Sequence, residues 1–556
     1  MSELRLSTPI DGSVRFHSSE QPFSNFRFVK TLDDKNEFNS FSRILSQCRK
    51  LKFKTIIEEN IPSVGYSNDE DCDLIKANID FKNSSLKRFS FFNTIIKNTA
   101  ELYSTDKESF IGYAIIKKYS FSDKDDYTIV FESVINQGRY ENNFIHVNKT
   151  YPVNIGGKTF VIHGTLYCQQ NHITSRCAHV AVRTALSILL PEKDISYTEI
   201  NDILSKRGLP HELYKGLNGN QIKIIFEEKG FIVSQKTVAG SKVSAPSLPA
   251  SPLPPASPLP PASPASLGSS AQLEFPDNKY IYAGIESGLP VLVGFQFEKK
   301  GGGMGRHIIP VLGHTFNEDT WVPNADTSYF QFGKDTQYIA SETWVSAYVG
   351  HDDNFGSNYC IPRTFFSDNR WDIFVIYPKE CKVDGVSIEA NAAIYLNNYL
   401  LDNLVEPQKD PFWTKKLIDI CKQKRFVLRP ILVTSKKYLE HLKSIRGWNN
   451  SEINSDIIES LKLKSLIWVV EISHPELLPT NHRKLGEIVL RADLEIPENQ
   501  SEKMEFFVNF SNFVFARMPG YFYFLNDIKR TPLGNPKHVF ETYCSGIDDH
   551  VELLKI

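Results

Sequence analysis

The stretch that decides the fold of this chain reads Cys168-Gln-Gln-Asn-His-Ile-Thr-Ser-Arg-Cys177-Ala-His-Val-Ala-Val-Arg-Thr-Ala-Leu-Ser-Ile-Leu-Leu190. A loop with two adjacent glutamines leads into Cys177, and the residues that follow it are mostly small or apolar. These apolar side chains do not fit one narrow stripe of a helical wheel, which predicts a helix buried on more than one side. Cys177 would then lie at, or just before, the first residue of a central buried helix.

This position gives the cysteine a particular electrostatic setting. The first amide groups of a helix have no partner within the helix, and together with the positive end of the helix dipole they stabilise a thiolate relative to a thiol. A nucleophilic cysteine is commonly prepared in this way. The alternative is that Cys177 is a small core residue, because free cysteines are among the most buried residue types.

Two downstream segments carry the side chains that a nucleophilic cysteine needs. About 130 residues after Cys177, the segment Gly305-Arg-His307-Ile-Ile-Pro-Val-Leu-Gly-His314 opens an apolar run that is typical of a strand. A second short strand is expected around residues 321–322, and it ends in Asn324 and Asp326. A thiolate requires a base within hydrogen-bond reach, and the base requires a third group that fixes its tautomer and orientation.

Cysteine on a helix, histidine on a strand and Asn or Asp at the end of the next strand is the chain order of papain-like cysteine proteases, in which a glutamine before the cysteine supplies the oxyanion donor. Residues from about 160 to 350 resemble that superfamily, most of all the bacterial bacteriocin-leader peptidase branch. The resemblance implies a set of roles: Cys177 as nucleophile, His307 as base, Asp326 (or Asn324) as orienting group, and Gln170 (or Gln169) as oxyanion donor.

The chain departs from that branch at two places. The glutamines stand seven and eight residues before Cys177, which is further than is usual in the branch, and Ala178 follows the cysteine where a glycine or a bulky aromatic is commoner. Both departures bear on the oxyanion donor. For the third member we favour Asp326 over Asn324, because a carboxylate stabilises an imidazolium by charge, whereas an amide only orients the ring.

Composition sets bounds on function and location. The 556 residues are 41% hydrophobic and 23% charged, with a formal net charge of -2, which argues against a general nucleic-acid or membrane-surface role. We find no signal peptide and no apolar run long enough for a transmembrane helix. The eight cysteines are scattered and form no CxxC pair, so we expect a reduced, cytoplasmic protein without a structural zinc. The proposed chemistry requires no cofactor and no metal.

The chain divides into three parts of α+β character. Residues 1–155 form an N-terminal accessory domain, residues 156–380 a papain-like catalytic domain, and residues 381–556 a C-terminal accessory domain. A Pro/Ala/Ser-rich insertion at 239–271 interrupts the catalytic part, and we expect it to be a solvated spacer. The accessory parts, rich in strands, are expected to shape the substrate cleft or to dock a protein partner.

Local signals predict individual elements within these parts. Residues 86–103 are spaced like a helix, whereas residues 110–119, 127–135 and 505–515 are typical of strands. Asn218-Gly-Asn-Gln is expected to start a helix that Gly230 ends.

Three further features have structural interpretations. His314 is an odd number of residues from His307, so it faces the other side of the strand and is expected to be structural. His351-Asp-Asp-Asn-Phe-Gly356 offers oxygen ligands for a hard metal, but it lacks the calcium-loop pattern and a turn is favoured. Glu471 and Glu487 could act as an acid–base pair only if two separate strands bring them together by chance.

Three classes of function compete. The sequence favours a cysteine hydrolase that cuts a peptide or isopeptide bond in a protein or peptide substrate. The same triad could instead serve acyl transfer or deamidation, as in transglutaminases, because water and an amine differ little as acceptors. The third class is a catalytically inactive binding module with a papain-like fold.

Overall fold

The computed structural model describes most of the chain but not all of it. The described residues are 3–9, 14–18, 23–32, 39–122, 125–136, 143–144, 149–171, 173–174, 176–190, 194–209, 216–238, 278–298, 303–315, 329–332, 336–363, 365, 371–401, 411–444, 461–478, 483–518, 521–524, 531–532 and 540–541. The Pro/Ala/Ser-rich insertion and the predicted strand at 321–322 lie outside these residues.

Helices and strands are mixed along the described chain, which is therefore α+β. The helices are α1 (Glu3–Leu6), α2 (Asn25–Leu32), α3 (Asn39–Lys50), α4 (Tyr66–Lys76), α5 (Thr99–Ser104), α6 (Cys177–Leu189), α7 (Tyr197–Lys206), α8 (Gly219–Glu228), α9 (Asn278–Glu286), α10 (Gly385–Tyr395, continued by a π-helical turn Leu396–Leu400), α11 (Pro411–Lys422), α12 (Ser435–Ser444) and α13 (Gln500–Val508). The strands are β1 (Val14–Ser18), β2 (Thr55–Ile61), β3 (Asn83–Phe92), β4 (Phe110–Ser120), β5 (Tyr127–Ile135), β6 (Asn143–Phe144), β7 (Lys149–Ile155), β8 (Lys158–Gly164), β9 (Phe231–Val238), β10 (Val291–Glu298), β11 (Met304–Thr315), β12 (Tyr329–Phe332), β13 (Thr336–Ala340), β14 (Ala347–Asp352), β15 (Gly356–Pro362), β16 (Trp371–Pro378), β17 (Val427–Thr434), β18 (Leu466–Ser473), β19 (Arg483–Lys484), β20 (Gly486–Arg491), β21 (Phe513–Met518), β22 (Tyr521–Phe524), β23 (Thr531–Pro532) and β24 (Phe540–Glu541).

The first sheet, called the N-terminal sheet, has the antiparallel order β1–β2–β3–β4–β5. The helix predicted over residues 86–103 is wrong, because β3 occupies its first part and α5 begins only at Thr99. β3 lies between β2 and β4 and is buried on both faces, with Phe92 in one apolar cluster and Phe91 in another. Burial on both faces removes the apolar–polar alternation by which a strand is recognised.

The second sheet, called the central sheet, has the antiparallel order β15–β14–β11–β10–β16–β9. α6 packs against β11 and β10 and is buried from its second residue to its end, as its apolar composition predicted. Arg183, in the middle of α6, pairs at 3.1 Å with Glu132 of β5 and at 3.1 Å with Asp194. Charge as well as apolar packing therefore ties this helix to the N-terminal sheet.

Two helices after α6 have well-formed ends. The Ser196 hydroxyl accepts the amide of Glu199 and caps α7. Asn218 and Gln221 form a reciprocal capping box at the start of α8, and Gly230, with a φ of 87°, follows the end of that helix. A positive φ costs glycine little, so the sequence stops the helix there and turns into β9.

The third sheet, called the C-terminal sheet, has the order β12–β13–β17–β18–β20–β21–β22–β23, in which β13 and β17 are parallel. β12 and β13 precede residue 380, so this sheet takes chain from both sides of that predicted boundary. The strand predicted over residues 505–515 is wrong in its first half, where α13 runs to Val508. A turn at Phe510, with a φ of 50°, separates the helix from β21 and lacks the glycine that would have signalled it.

One apolar core extends through all three sheets. It includes Phe92 of the N-terminal sheet, Val291 of the central sheet and Trp468 of the C-terminal sheet, each fully buried. A buried ion pair of 2.5 Å between Arg429 of β17 and Glu286 of α9 adds a polar tie between the last two sheets. Among the described residues, no helix combines the length and the apolar character needed to cross a membrane.

Candidate functional site

Cys177 is the first residue of α6, at the helix position that the sequence predicted. It is half-buried, and the helix start at Arg176 has no side-chain cap. The amide of Cys177 belongs to the first turn, where helix geometry provides no intrahelical acceptor. Cys177 therefore lies at the positive end of the helix dipole, beside these free amides.

His307 of β11 contacts Cys177. The Cys177 side chain is close enough to the imidazole to contribute to the raised pKa of His307, which is buried, with 7% of its surface exposed. The packing of α6 on β11 brings the two elements that carry these residues together. The aromatic ring of Phe295, the β10 partner of His307, meets the imidazole edge-on at 5.4 Å.

The other side of the imidazole faces a pair of carboxylates. Nε2 of His307 lies 3.4 Å from Oδ1 of Asp352 and 3.1 Å from Oδ1 of Asp353. Nδ2 of Asn354 is 3.3 Å from the same nitrogen. His307 therefore lies between a thiol and two buried acids, which is the arrangement that orients a catalytic imidazole.

These acids belong to the hairpin between β14 and β15, called the acid hairpin (residues 347–362). Its turn at residues 353–355 agrees with the turn favoured from the sequence. Oδ1 of Asp352 accepts the backbone amides of Asn354 at 2.8 Å and Phe355 at 3.1 Å. Two amides and the imidazole converge on this carboxylate, so its position and its negative charge are both fixed.

The pKa values of the three groups diverge. Burial opposes the charged form of His307, but the hydrogen bonds with Asp352 and Cys177 and the charges of both acids outweigh it and raise its pKa to about 10. Burial also opposes ionisation of Asp352, yet the hydrogen bond and charge of His307 and the two amides hold the pKa of Asp352 below its usual value. Burial raises the pKa of Asp353 to about 7, despite the opposing charge of His307.

The two candidate glutamines have different surroundings. The side-chain oxygen of Gln169 accepts the amide of Val130 at 2.9 Å, and its backbone amide donates to the oxygen of the same residue, so Gln169 is tied to β5. Nε2 of Gln170 instead donates to Oδ1 of Asn354 at 2.7 Å. Gln170 is thus the glutamine whose amide reaches the groups around His307.

The loop between Gln170 and Cys177 is held by the N-terminal part of the chain. Oδ1 of Asn171 accepts the amides of Ile173 and Thr174, and its Nδ2 donates to Glu70 of α4 at 2.9 Å. The guanidinium of Arg176 pairs with Asp73 of α4 at 2.6 Å. α4 therefore fixes the approach of the chain to Cys177.

α3 holds the acid hairpin in a similar way. Nε and Nη2 of Arg43 donate to the backbone oxygens of Ser357 and Asn358, both at 2.8 Å. Gln47 donates to the Ser357 oxygen at 2.7 Å and accepts from the Ser357 hydroxyl at 3.0 Å. Gly356 has a φ of 115°, and a Cβ there would lie 2.7 Å from the Arg43 side chain, so this contact requires glycine.

Several predicted residues are brought together and others are not described. Cys177, His307 and Gln170 lie in one site, whereas Asp326 and Asn324 fall outside the described residues and stay predictions. The sequence analysis missed Asp352, Asp353 and Asn354 as neighbours of His307. Asp352 ends β14, which pairs antiparallel with the His307 strand, and Asp353 and Asn354 follow in the turn. Their own segment does not indicate this pairing, which is a tertiary property.

The other groups singled out in the sequence are structural in this fold. Nε2 of His314 contacts Glu286 at 2.6 Å, on the buried side of β11. Glu471 and Glu487 are direct cross-strand partners, but both are fully buried and share Lys484, at 2.7 and 2.5 Å. Without a path to solvent among the described residues, this pair offers no acid–base site.

The site also has the composition of a metal centre. Ligand atoms of His307, Asp352 and Asp353 all lie within 4.8 Å of one another, and the three side chains are buried. Two other cysteines of the described residues offer poorer nucleophiles: burial raises the pKa of Cys168 to about 12 and that of Cys381 to about 12.

Comparison of the chain with known protein families, with curated proteins and with solved structures found no match.

Proposed function

We propose that the protein is a cysteine hydrolase that cleaves a peptide or isopeptide bond, with a papain-like catalytic part between about residues 156 and 380. The observation that carries the proposal is the proximity of Cys177, the first residue of a buried helix, to His307, whose Nε2 lies 3.4 Å from Asp352. A nucleophile, a base and an orienting carboxylate in contact are the recurring parts of acyl-transfer sites. The flanking parts are accessory domains in this proposal.

His307 uses its two nitrogens differently in the proposed mechanism. Nε2 faces the acids and carries a proton directed at Asp352. Because the pKa of His307 is raised to about 10, the ring is an imidazolium at neutral pH, with the proton of Cys177 held on Nδ1. The resulting thiolate attacks the carbonyl carbon of the substrate and forms a tetrahedral adduct. When the adduct collapses, the C–N bond breaks, the imidazolium protonates the leaving amine, and an acyl-enzyme remains. His307 then activates a water that releases the acid and restores the thiol.

The negative oxygen of the tetrahedral adduct needs donors that are already in place. The backbone amide of Cys177 is one, because a first-turn amide has no intrahelical acceptor. Gln170 is the second: a carboxamide nitrogen has two N–H groups, and the bond with Asn354 uses one of them. The same bond holds the amide of Gln170 in place before substrate binds.

Asp352 takes the orienting role because it is ionised and held by two backbone amides. Asp326, which the resemblance to leader peptidases implies for that role, stays as the alternative. The two are separated by mutation, as set out in the Discussion. Asp353, buried beside Asp352, is not needed as a second orienting group.

We also propose a cytoplasmic location and a protein or peptide substrate. None of the cysteines in the described residues forms a disulfide, although Cys72 and Cys360 are exposed enough to react. A reducing compartment preserves such thiols and the nucleophile with them. No cofactor takes part in the proposed reaction.

The test is thiol labelling followed by mass analysis of products. Native protein treated with iodoacetamide should be alkylated at Cys177 faster than at the exposed Cys72 and Cys360, which serve as internal controls. His307→Ala should remove that advantage, because the base that generates the thiolate is lost. Cys177→Ser should abolish turnover while leaving the circular dichroism spectrum unchanged.

Two outcomes would redirect the proposal. Labelling of Cys177 at the rate of the exposed cysteines, unchanged in His307→Ala, would indicate a binding module without catalysis. Fast labelling together with products that carry an added amine, rather than water, would assign the site to acyl transfer.

A further inference from the structure

We propose that His307, Asp352 and Asp353 also bind a divalent transition-metal ion, Zn²⁺ above all, and that the bound ion stops turnover. The effect on turnover rests on the proposed hydrolase function, whereas binding of the ion does not. The site uses Nε2 of His307, the ring nitrogen next to the two acids.

The spacing of the three side chains fits a tetrahedral ion. Zinc binds nitrogen and oxygen ligands at roughly 2.0–2.2 Å, so neighbouring ligand atoms in a tetrahedron are about 3.3–3.5 Å apart. Nε2 of His307 lies 3.4 Å from Asp352 Oδ1 and 3.1 Å from Asp353 Oδ1. The ligand atoms of all three side chains lie within 4.8 Å of one another, so side-chain movement alone could place them around one ion.

Asp353 provides an independent indication of a ligand. It is 3% exposed and directed at His307, yet neither of its carboxylate oxygens accepts a hydrogen bond from any residue that the structure describes. Its ion pair with His307 at 3.1 Å is not supplemented by any hydrogen bond from the described residues. A buried carboxylate with so few partners is costly, and coordination to a cation would stabilise it. Asp352, by contrast, already has two amide donors.

The ligand set favours zinc over magnesium or calcium. An imidazole nitrogen suits zinc and its neighbours in the first transition series, whereas the hard cations prefer oxygen ligands throughout. The amides of Asn354 and Phe355 would orient Asp352 as a ligand, as outer groups do in established zinc sites. Two carboxylates beside one imidazole also give the pocket more negative than positive charge, which a divalent ion offsets.

Coordination at Nε2 would interrupt the proton transfers of His307. The ring would keep one proton, on Nδ1 facing Cys177, and could take no second one from the thiol. Donation of that proton to a leaving amine would leave a metal-bound imidazolate, a much stronger base than imidazole. The acid step of the reaction therefore fails while the ion is bound.

The binding test uses full-length protein with Cys177→Ala, freed of metal by a chelator, and titration with ZnCl₂ in a calorimeter. One equivalent of Zn²⁺ should bind, and addition of Asp353→Asn should weaken the affinity by about tenfold or more. Cys177→Ala combined with Glu58→Gln is the matched control, because Glu58 pairs with His17 at 2.9 Å outside the site and its loss should leave affinity unchanged.

Each contrary result has a definite meaning. Zinc that binds the wild type but not Cys177→Ala would be a thiol complex, and zinc that binds equally well after Asp353→Asn would lie elsewhere; either overturns the proposal. If Asp353→Asn melts early, His307→Gln tests the same ligand set. Cobalt substituted into Cys177→Ala should give tetrahedral absorption without a thiolate band.

The turnover test is separate. Wild-type activity should fall as Zn²⁺ is added and return with EDTA. A protein that binds zinc through His307 but shows no hydrolysis at all would refute the hydrolase and keep the metal site. Normal hydrolysis by a protein saturated with Zn²⁺ would refute the inhibitory effect and leave the hydrolase proposal standing.

Discussion

Arg43 and Ser357 are 314 positions apart in the sequence, and Nε of Arg43 donates a hydrogen bond of 2.8 Å to the backbone oxygen of Ser357. This bond joins the N-terminal part of the chain to the hairpin that carries the acids of the candidate site. Together with α4, which holds the loop before Cys177, it makes the N-terminal part a support for both sides of the site. Its contribution can be measured.

Arg43→Ala should lower kcat more than it raises KM, because the acid hairpin loses two charge-assisted bonds and Asp352 moves relative to His307. Misplacement of a catalytic group by about 1 Å costs on the order of a hundredfold in rate. Arg43→Lys keeps the positive charge but replaces the two separate guanidinium nitrogens with a single ammonium nitrogen, so it should recover part of the loss. Steady-state kinetics with thermal melting checks this.

The matched control is Arg207→Ala, which removes an exposed ion pair with Glu228 of 2.6 Å. Exposed pairs contribute little, so this variant should match the wild type in melting temperature and in kcat. If Arg43→Ala melts early but keeps wild-type kcat at low temperature, its role is stability alone.

Asp352→Asn and Asp326→Asn decide the third member of the catalytic group. Asparagine keeps the size of the side chain but removes the charge that holds the imidazolium. Loss of the orienting carboxylate should lower kcat by roughly two to four orders of magnitude. We expect that loss for Asp352→Asn and a near-normal kcat for Asp326→Asn, both measured with folded protein. The opposite ranking would return the role to Asp326.

Asn171→Ala should loosen the loop before the nucleophile. The substitution leaves the amides of Ile173 and Thr174 without their acceptor. It also removes one donor to the Glu70 carboxylate, which keeps its contacts with Tyr119 and Lys117. Each buried group left unsatisfied costs about 1–3 kcal/mol, so the variant should unfold at a lower urea concentration. Alkylation of Cys177 should also slow. Asn171→Asp keeps the acceptor and should restore the amide bonds, while repelling Glu70.

His351 predicts a loss of stability in mild acid. Burial lowers its pKa to about 4, from an ordinary value of 6.5, and its Nδ1 accepts the amide of Asn358 at 3.1 Å. Since the folded pKa lies below the unfolded one, the unfolded state takes up the proton first. Stability is therefore full above the unfolded pKa and is lost as the pH falls toward 4, by on the order of 3 kcal/mol in total.

Urea unfolding at several pH values measures this loss. Other groups titrate in the same range, so the comparison is with His351→Asn, which offers an amide oxygen in place of Nδ1 but does not titrate. The variant should be less stable near neutrality and should lose less on acidification. Parallel curves for the two proteins would show that His351 is not the responsible group.

Elements whose signals are local could be predicted from the sequence. α6 begins at Cys177 and β5 spans residues 127–135, as predicted, and Asn218 and Gly230 flank α8. Caps, stops and strand propensities act within a few residues, so one sequence carries them. The predictions at residues 86–103 and 505–515 are wrong because the local signals are missing there. A central strand buried on both faces lacks the alternation of apolar and polar residues, and the turn at Phe510 contains no glycine.

The candidate site was predicted only in part for a related reason. The residues around Cys177 and around His307 indicate these two positions from the sequence alone. The position of Asp352 beside His307 depends instead on which strand pairs with β11. That partner is β14, which begins 32 residues after β11 ends, and the pairing contains a bulge between Val311 and Gly313. Pairing at such separation is a tertiary property. Nothing local in Arg43 or Gln47 indicates that they bind backbone oxygens of this hairpin.

The clamp between α3 and the acid hairpin also has a consequence in time. A ribosome that has finished Gln47 must add 310 more residues before Ser357 exists to meet it. At typical rates of about 5–20 residues per second this takes roughly 15–60 s. During the later part of that interval the nascent chain already holds Cys177, whereas the acid hairpin has not yet been made. The candidate site can therefore be completed only after Ser357 has been made and has met Gln47.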